Sequence, residues 1–91
     1  MHYVLYYTCV ENMLELRKPV REEHLALVKA AHAAGDLVLA GAYPEPPDGS
    51  VLIFQGEDTE KVKAFVTHDP YVTTGLVTEW HIRPLMVAVG G

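Results

Sequence analysis

A long amphipathic segment, Arg17 to Ala34, lies between two β-rich segments of a 91-residue chain. At about 100° per residue, one apolar stripe on this segment contains Leu16, Val20, Leu27, Ala30, Ala31 and Ala34. Proline is tolerated only in a first helical turn, so the helix is predicted to begin near Lys18 or Pro19. Gly35 is predicted to end it as the glycine after the C-cap. The other elements must therefore cover the apolar stripe.

Four further segments have the composition of β-strands. The predicted strands run over His2–Val10, Leu37–Tyr43, Val51–Gln55 and Leu76–Arg83. The first is apolar on both faces, which predicts that both faces are covered. Gly41 lies inside the second, where a glycine often indicates a bulge or the close approach of another group.

Turn signals separate the later elements. Pro44 to Gly49 is a turn-rich connection, and its final Asp-Gly pair predicts a hairpin. Asp58 is predicted to cap a second helix from Thr59 to about Thr67. Pro70 restricts Asp69 to an extended conformation and is predicted to end that helix.

The end of the chain combines a proline with an apolar segment. Pro84 is predicted to break or bend the last strand. Leu85 to Val89 is apolar, and we expect it to pack on this chain or on a neighbouring one.

The order strand, helix, strand, strand, helix, strand predicts an α+β fold of the ferredoxin-like βαββαβ type. Residues 1–91 would form a single domain, with one antiparallel four-stranded sheet and two helices on one face. The opposite face of the sheet would then be apolar and bare. Packing two such sheets together covers it, so we expect a homodimer.

Composition limits the partners and the compartment. The formal net charge of −5 argues against nucleic acid, because phosphate binding needs a basic patch. The single cysteine, Cys9, cannot form an intramolecular disulfide, which fits a reducing cytoplasm. No basic-then-apolar leader and no apolar run of about 18 residues is present, so neither a signal peptide nor a membrane span is expected. The expected partners are a second copy of the chain and a small molecule.

His24 and Asp69 are the candidates for acid/base chemistry. His24 lies at the edge of the apolar stripe, and imidazole titrates near neutrality. Asp69 is held by Pro70 just beyond a helix end, where its carboxylate could orient the imidazole. The alternative is structural: His24 would be an ordinary boundary histidine, and Asp69 part of a common Asp-Pro turn.

Other chemistries have weaker support. No histidines have the spacing of a helical zinc pair and the cysteine has no partner, so no metal site or cofactor is predicted. Cys9 on a strand is expected to be a buried, inert thiol. The polar row Glu79, His81 and Arg83 on the last strand could line a pocket.

Short motifs in a characteristic order resemble the YciI-like (YCII-related) family over essentially the whole chain. They are the early aromatic-aliphatic strand, Arg21-Glu-Glu-His24-Leu, Leu39-Ala-Gly41, and Asp69-Pro-Tyr71 followed by Gly75-Leu. The resemblance implies a dimeric α+β barrel, with an acid/base pair at the positions of His24 and Asp69. Arg21 and Tyr71 also occupy family motif positions and are candidates for substrate binding. One branch of the family is similar to dehydrochlorinases of chlorinated hydroxyhydroquinones, and the broader superfamily includes muconolactone isomerases and small monooxygenases.

Two functional hypotheses follow. In the first, the chain is a small cofactor-independent enzyme whose His24–Asp69 pair moves a proton on a small cyclic or aromatic metabolite, giving elimination, dehydrochlorination or isomerisation. In the second, the same dimer pocket belongs to a non-catalytic metabolite-binding or accessory module. The distance between His24 and Asp69 discriminates between them, since an acid/base pair must lie within hydrogen-bond reach.

Overall fold

The computed structural model describes all 91 residues, which fold around one four-stranded sheet. The strands are β1 (His2–Cys9), β2 (Leu37–Ala42), β3 (Gly49–Gln55) and β4 (Val77–Leu85). The helices are α1 (Met13–Leu16), α2 (Arg21–Ala33), α3 (Glu60–His68) and α4 (Pro70–Thr73). None of the helices is long and apolar enough to cross a membrane.

The sheet has the strand order β2-β3-β1-β4, and every neighbouring pair is antiparallel. Leu5 in the central strand β1 pairs with Leu52 on β3 and with Ile82 on β4, which places all three side chains on one face. The prediction of an α+β, ferredoxin-like fold with an antiparallel four-stranded sheet is confirmed.

The core lies between this face of the sheet and the helices. From α3, Val62, Phe65 and Val66 are buried against the sheet. The rings of Phe54 and Phe65 meet edge to face with centroids 5.4 Å apart. Burying an apolar side chain of this size contributes roughly 1.5–3 kcal/mol, so this contact fixes α3 on the sheet.

The main helix begins later than its predicted start near Lys18 or Pro19. The structure has the one-turn helix α1, then a turn, and α2 begins only at Arg21. Pro19 disfavours a helical conformation at the preceding residue, which separates the two helices. At the other end Gly35 has φ 85°, as predicted for the glycine after a C-cap.

Five strand boundaries differ from those predicted. β1 ends at Cys9 and β2 at Ala42, β3 already begins at Gly49, and β4 runs from Val77 to Leu85. Pro84 therefore does not break the last strand, because β4 is an edge strand, in which a missing N–H is tolerated.

Two apolar residues beyond β4 receive little cover from this chain. Met86 and Val89 are almost fully exposed, whereas Val87 is 37% exposed. Packing of this segment on a neighbouring chain stays a prediction.

The glycine that lies against another backbone is Gly49, not Gly41 as the sequence predicted. The register irregularity of β2 lies between Leu37 and Leu39, and a Cβ placed on Gly41 would meet no atom within 4 Å. The close approach occurs at Gly49, where a Cβ would collide with the backbone carbonyl of Tyr7. Glycine at position 49 therefore lets the hairpin lie directly against β1.

Candidate active site

The imidazole of His24 and the carboxylate of Asp69 are in direct contact. Nδ1 of His24 lies 2.7 Å from Oδ1 of Asp69, across 45 residues of sequence. Asp69 is completely buried, whereas the His24 side chain keeps 13% of its surface exposed. The pair thus has a buried carboxylate beneath a partly accessible imidazole.

The Asp-Pro-Tyr sequence holds the carboxylate through local geometry. Asp69 is extended, with φ −73° and ψ 118°, as required before proline. It is also the N-cap of α4, in which Pro70 occupies the first helical position. Its Oδ1 accepts the backbone N–H of Tyr71 at 3.0 Å. The sequence predicted the extended residue but not α4, because Pro70 was interpreted only as the end of the preceding helix.

Tyr7, on the central strand, supplies another hydrogen bond to Asp69. Its hydroxyl donates to Oδ2 at 2.7 Å. Burial, followed by the charge of Asp69 and this hydrogen bond, raises the pKa of Tyr7 well above its ordinary value, so the phenol remains a donor at neutral pH. The side chains of Tyr7 and His24 and the backbone of Tyr71 together satisfy a carboxylate whose burial without partners would cost several kcal/mol.

The contact with Asp69 determines which nitrogen of His24 carries the proton. A carboxylate only accepts hydrogen bonds, so Nδ1–H is the donor and the lone pair of the neutral ring lies on Nε2. The ring also stacks on Tyr71, with centroids 3.7 Å apart and planes 5° from parallel. The imidazole is therefore fixed in both rotation and tautomer, and Nε2 is the nitrogen available to a bound molecule.

A cavity of about 520 Å³ lies beside the imidazole, between the first two helices and the β2–β3 hairpin. Ten of its 18 lining residues are hydrophobic, which suits a small ring-shaped molecule. Of the four predicted site residues, His24, Arg21 and Tyr71 line the cavity, and Asp69 lies behind His24 and Tyr71.

The sequence interpretation missed two residues at this site, Tyr7 and Arg17. Tyr7 contacts Asp69 across 62 positions of sequence, and no local pattern predicts such a contact. Arg17 lines the cavity together with Arg21. No local signal identifies Arg17, because it lies in the turn between α1 and α2, where the helical i, i+4 spacing does not apply.

The remaining candidates do not contribute an obvious reactive group. Cys9 lines the cavity, but burial and then the charges of Asp48 and Asp69 raise the pKa of its thiol, while Arg17 partly opposes them. The thiol is therefore neutral and weakly nucleophilic at neutral pH. His81 contacts Glu79 at 3.1 Å in an exposed row outside the cavity. No group of three or more His, Cys, Asp or Glu side chains is arranged to hold a metal ion.

Known proteins resemble this chain in both sequence and fold. The YCII-related domain family matches residues 1–86. An uncharacterised protein of Haemophilus influenzae is 34% identical over 93 residues, which cover 92% of this chain and 95% of the relative. Protein YciI of Escherichia coli O6:H1 and of Shigella flexneri is 32% identical in each case, with the same coverage.

A solved structure with a similar fold is 5-chloro-2-hydroxyhydroquinone dehydrochlorinase (TftG) of Burkholderia phenoliruptrix AC1100, in complex with 2,5-dihydroxybenzoquinone. The TM-score is 0.79, and the match covers 94% of each chain. The sequence identity is 22%, so this likeness establishes the fold.

Proposed function

This chain belongs to the YCII-related domain family, and from this membership and the geometry of the cavity we propose that it is a small cofactor-independent enzyme. In this proposal His24 is the general base, Asp69 orients it, and the substrate is a small cyclic or aromatic molecule. The observation that carries the proposal is the 2.7 Å contact between a buried carboxylate and an imidazole that lines a mainly apolar cavity.

The proton moves through Nε2 of His24. When Nε2 accepts a proton, the ring becomes an imidazolium whose charge faces the carboxylate of Asp69 at 2.7 Å. An ion pair at this distance in a buried setting stabilises the protonated ring. Asp69 keeps its three donors throughout, so it needs no rearrangement during the reaction.

This arrangement suits an elimination, in which His24 gains a proton and the leaving group departs with an electron pair. Nε2 takes a proton from the atom adjacent to the carbon that carries the leaving group. The electron pair of the broken bond forms a new double bond, and the leaving group departs with its own electron pair. Loss of chloride as the leaving group is dehydrochlorination, the reaction named for the structural relative TftG. If His24 instead returns the proton to another carbon, the result is isomerisation.

Arg21 and Tyr71 are proposed to bind the substrate. Both line the cavity, and the Tyr71 ring stacks on the imidazole at 3.7 Å. The stack keeps the catalytic ring in place while the exposed edge of the histidine contacts the substrate.

We also propose that the protein is a cytoplasmic homodimer. The face of the sheet opposite the helices carries exposed apolar side chains, including Leu39 and Tyr6, and a second copy would cover them. The single cysteine, which has no disulfide, suits the reducing environment of the cytoplasm.

The function is tested with 5-chloro-2-hydroxyhydroquinone and a panel of chlorinated hydroxylated rings, by measuring chloride release. We expect His24→Gln and Asp69→Asn each to lower kcat by about 100-fold or more, because each removes the oriented base. The control is His32→Gln, which removes an imidazole from the same helix outside the cavity and leaves kcat unchanged.

The tautomer provides a second readout that needs no substrate. In ¹⁵N-detected NMR at neutral pH, neutral His24 is expected to carry its proton on Nδ1, and Asp69→Asn is expected to change this distribution. If His24→Gln turns over substrate at the wild-type rate, the catalytic role of His24 is refuted. Tight binding of ring compounds without turnover by the wild type would instead support a non-catalytic binding module.

A further inference from the structure

The charges that line the cavity are all of one sign. Arg17 and Arg21 both line it, and none of the 18 lining residues is an aspartate or a glutamate. The chain as a whole has 12 acidic and 7 basic residues, so a cavity with two cations and no acid is opposite in sign to the rest of the protein. Such a local excess of positive charge in a partly enclosed site attracts anions.

Neither arginine has an anionic partner within the chain. Lys18 pairs with Glu15 at 3.0 Å and Lys61 with Asp36 at 3.5 Å, but Arg17 and Arg21 make no ion pair and no side-chain hydrogen bond. Arg17 is nevertheless partly buried. A partly desolvated guanidinium with five unused donors is suited to binding a carboxylate or another anionic oxygen from outside.

The positive charge of the two arginines acts on Tyr71, whose ring stacks on that of His24. Burial raises the pKa of the Tyr71 phenol, and Arg17 and Arg21 are the two groups that oppose this rise. The Tyr71 ring in turn lies 3.7 Å from the His24 ring. An anion bound by the arginines would therefore lie close to the proposed base.

We propose that Arg17 and Arg21 form an anion-binding subsite, and that the ligand is a small apolar ring or chain bearing one carboxylate or one ionised phenolic oxygen. This inference rests on the proposed function, since it assigns the substrate class of the same cavity. It gives the arginines two tasks: they hold the anionic group in the ground state, and they stabilise negative charge that develops on the substrate when His24 removes a proton.

The first test compares benzoate with benzamide, a neutral molecule of similar shape. Binding to the wild-type protein is measured by calorimetry and by NMR of the arginine Nε–H groups. We expect benzoate to bind about tenfold more tightly or better, because charge-assisted hydrogen bonds to a guanidinium are stronger than neutral ones. We also expect shifts of the Arg17 and Arg21 Nε–H signals with benzoate.

Matched variants assign the selectivity to the two side chains. Arg17→Gln and Arg21→Gln are each expected to abolish most of the preference for benzoate, measured as the ratio of the benzoate and benzamide affinities of the same variant. Arg21→Lys keeps the charge without the planar fork and should retain part of the preference. Lys29→Gln removes the same charge from the same helix outside the cavity, and the preference should remain.

The proposal is overturned if the wild type binds the two probes equally or fails to bind benzoate, results that do not depend on the folding of any variant. It is also overturned if both glutamine variants keep the full preference. Because His24→Gln leaves both arginines in place, it should still prefer benzoate. If the wild type prefers benzoate but has no turnover, the catalytic function is refuted and the subsite stands. If turnover depends on His24 but the wild type shows no preference for benzoate, the subsite is refuted and the catalytic function stands.

Discussion

At the residue scale, Asp69 is the point where distant parts of the chain meet. It receives hydrogen bonds from the Tyr7 hydroxyl on β1, from the His24 imidazole on α2 and from the backbone N–H of Tyr71 on α4. The carboxylate is fully buried, and these donors replace the water that it loses on folding. The same contacts therefore stabilise the fold and orient the proposed base.

Tyr7→Phe is expected to lower the stability and change its dependence on pH. Near neutral pH the variant loses a hydrogen bond to a buried carboxylate, at a cost of about 1–3 kcal/mol. The folded-state pKa of Tyr7 is raised, so above the ordinary tyrosine pKa of about 10 the phenol ionises only on unfolding. Its contribution to stability is complete below that pH and falls as pH rises, by about 1.4 kcal/mol per pH unit. Urea unfolding between about pH 7 and pH 11 measures both effects.

The wild type should therefore lose stability more steeply than Tyr7→Phe above about pH 10. Leu5→Val is the control, because it also alters a buried β1 side chain but removes no titrating group. It should lower stability equally at every pH. If the free energies of unfolding of the wild type and Tyr7→Phe have the same pH dependence, the raised pKa of Tyr7 is contradicted.

At the element scale, the contact between the β2–β3 hairpin and β1 shapes one wall of the cavity. Gly49 opens β3, pairs with Thr8 on β1, and also lines the cavity. A side chain here would meet the backbone carbonyl of Tyr7, which cannot rotate away, and the ring of Tyr43 at 3.3 Å. The position of the hairpin thus depends on the absence of one methyl group.

Gly49→Ala is expected to destabilise the protein by about 1–3 kcal/mol, because the added methyl forces two backbones apart. The matched control is Gly41→Ala on β2, where a Cβ meets nothing within 4 Å. This change should be neutral or stabilising by up to about 1 kcal/mol, since glycine weakens a strand interior. Thermal and urea unfolding of both variants measure the difference. Equal losses in the two variants would show that the contact with Tyr7 is unimportant.

At the scale of the whole molecule, the sheet has one covered and one uncovered face. Leu5 and Tyr7 are buried against the helices, and the residues that alternate with them point the other way. The uncovered face carries partly exposed apolar side chains on three neighbouring strands: Tyr6, Leu39, Val51 and Ile53. Leu39 is 54% exposed in a single chain. An apolar surface of this kind on a small domain favours association of two sheets.

The proposed homodimer predicts a particle of twice the 10.1 kDa chain mass in light scattering. Leu39→Glu should shift the particle toward the mass of one chain, because a buried unpaired carboxylate opposes association. Ala64→Glu adds the same charge to an exposed position on α3, away from this face, and should leave the mass unchanged. A wild-type protein of single-chain mass at all concentrations would refute the homodimer.

The sequence by itself determined the order of the elements and the topology of the sheet. Apolar periodicity and turn residues are local signals, and they located all four strands and the two longer helices within a few residues. Pro70 fixed the backbone of Asp69 locally, so the conformation of this residue was also predictable. The family resemblance, given by short motifs in order, singled out His24 and Asp69 among several candidates.

Only the tertiary structure decided what the Asp69 carboxylate contacts besides His24 and which charges line the cavity. Tyr7 lies 62 residues from Asp69, and its role depends on a hydrogen bond between β1 and the N-cap residue of α4, which no periodicity encodes. Arg17 lies in the turn between α1 and α2, so its position in the cavity together with Arg21 depends on the path of that turn. Local sequence determines local conformation, whereas a site is assembled from through-space contacts between elements that fold together.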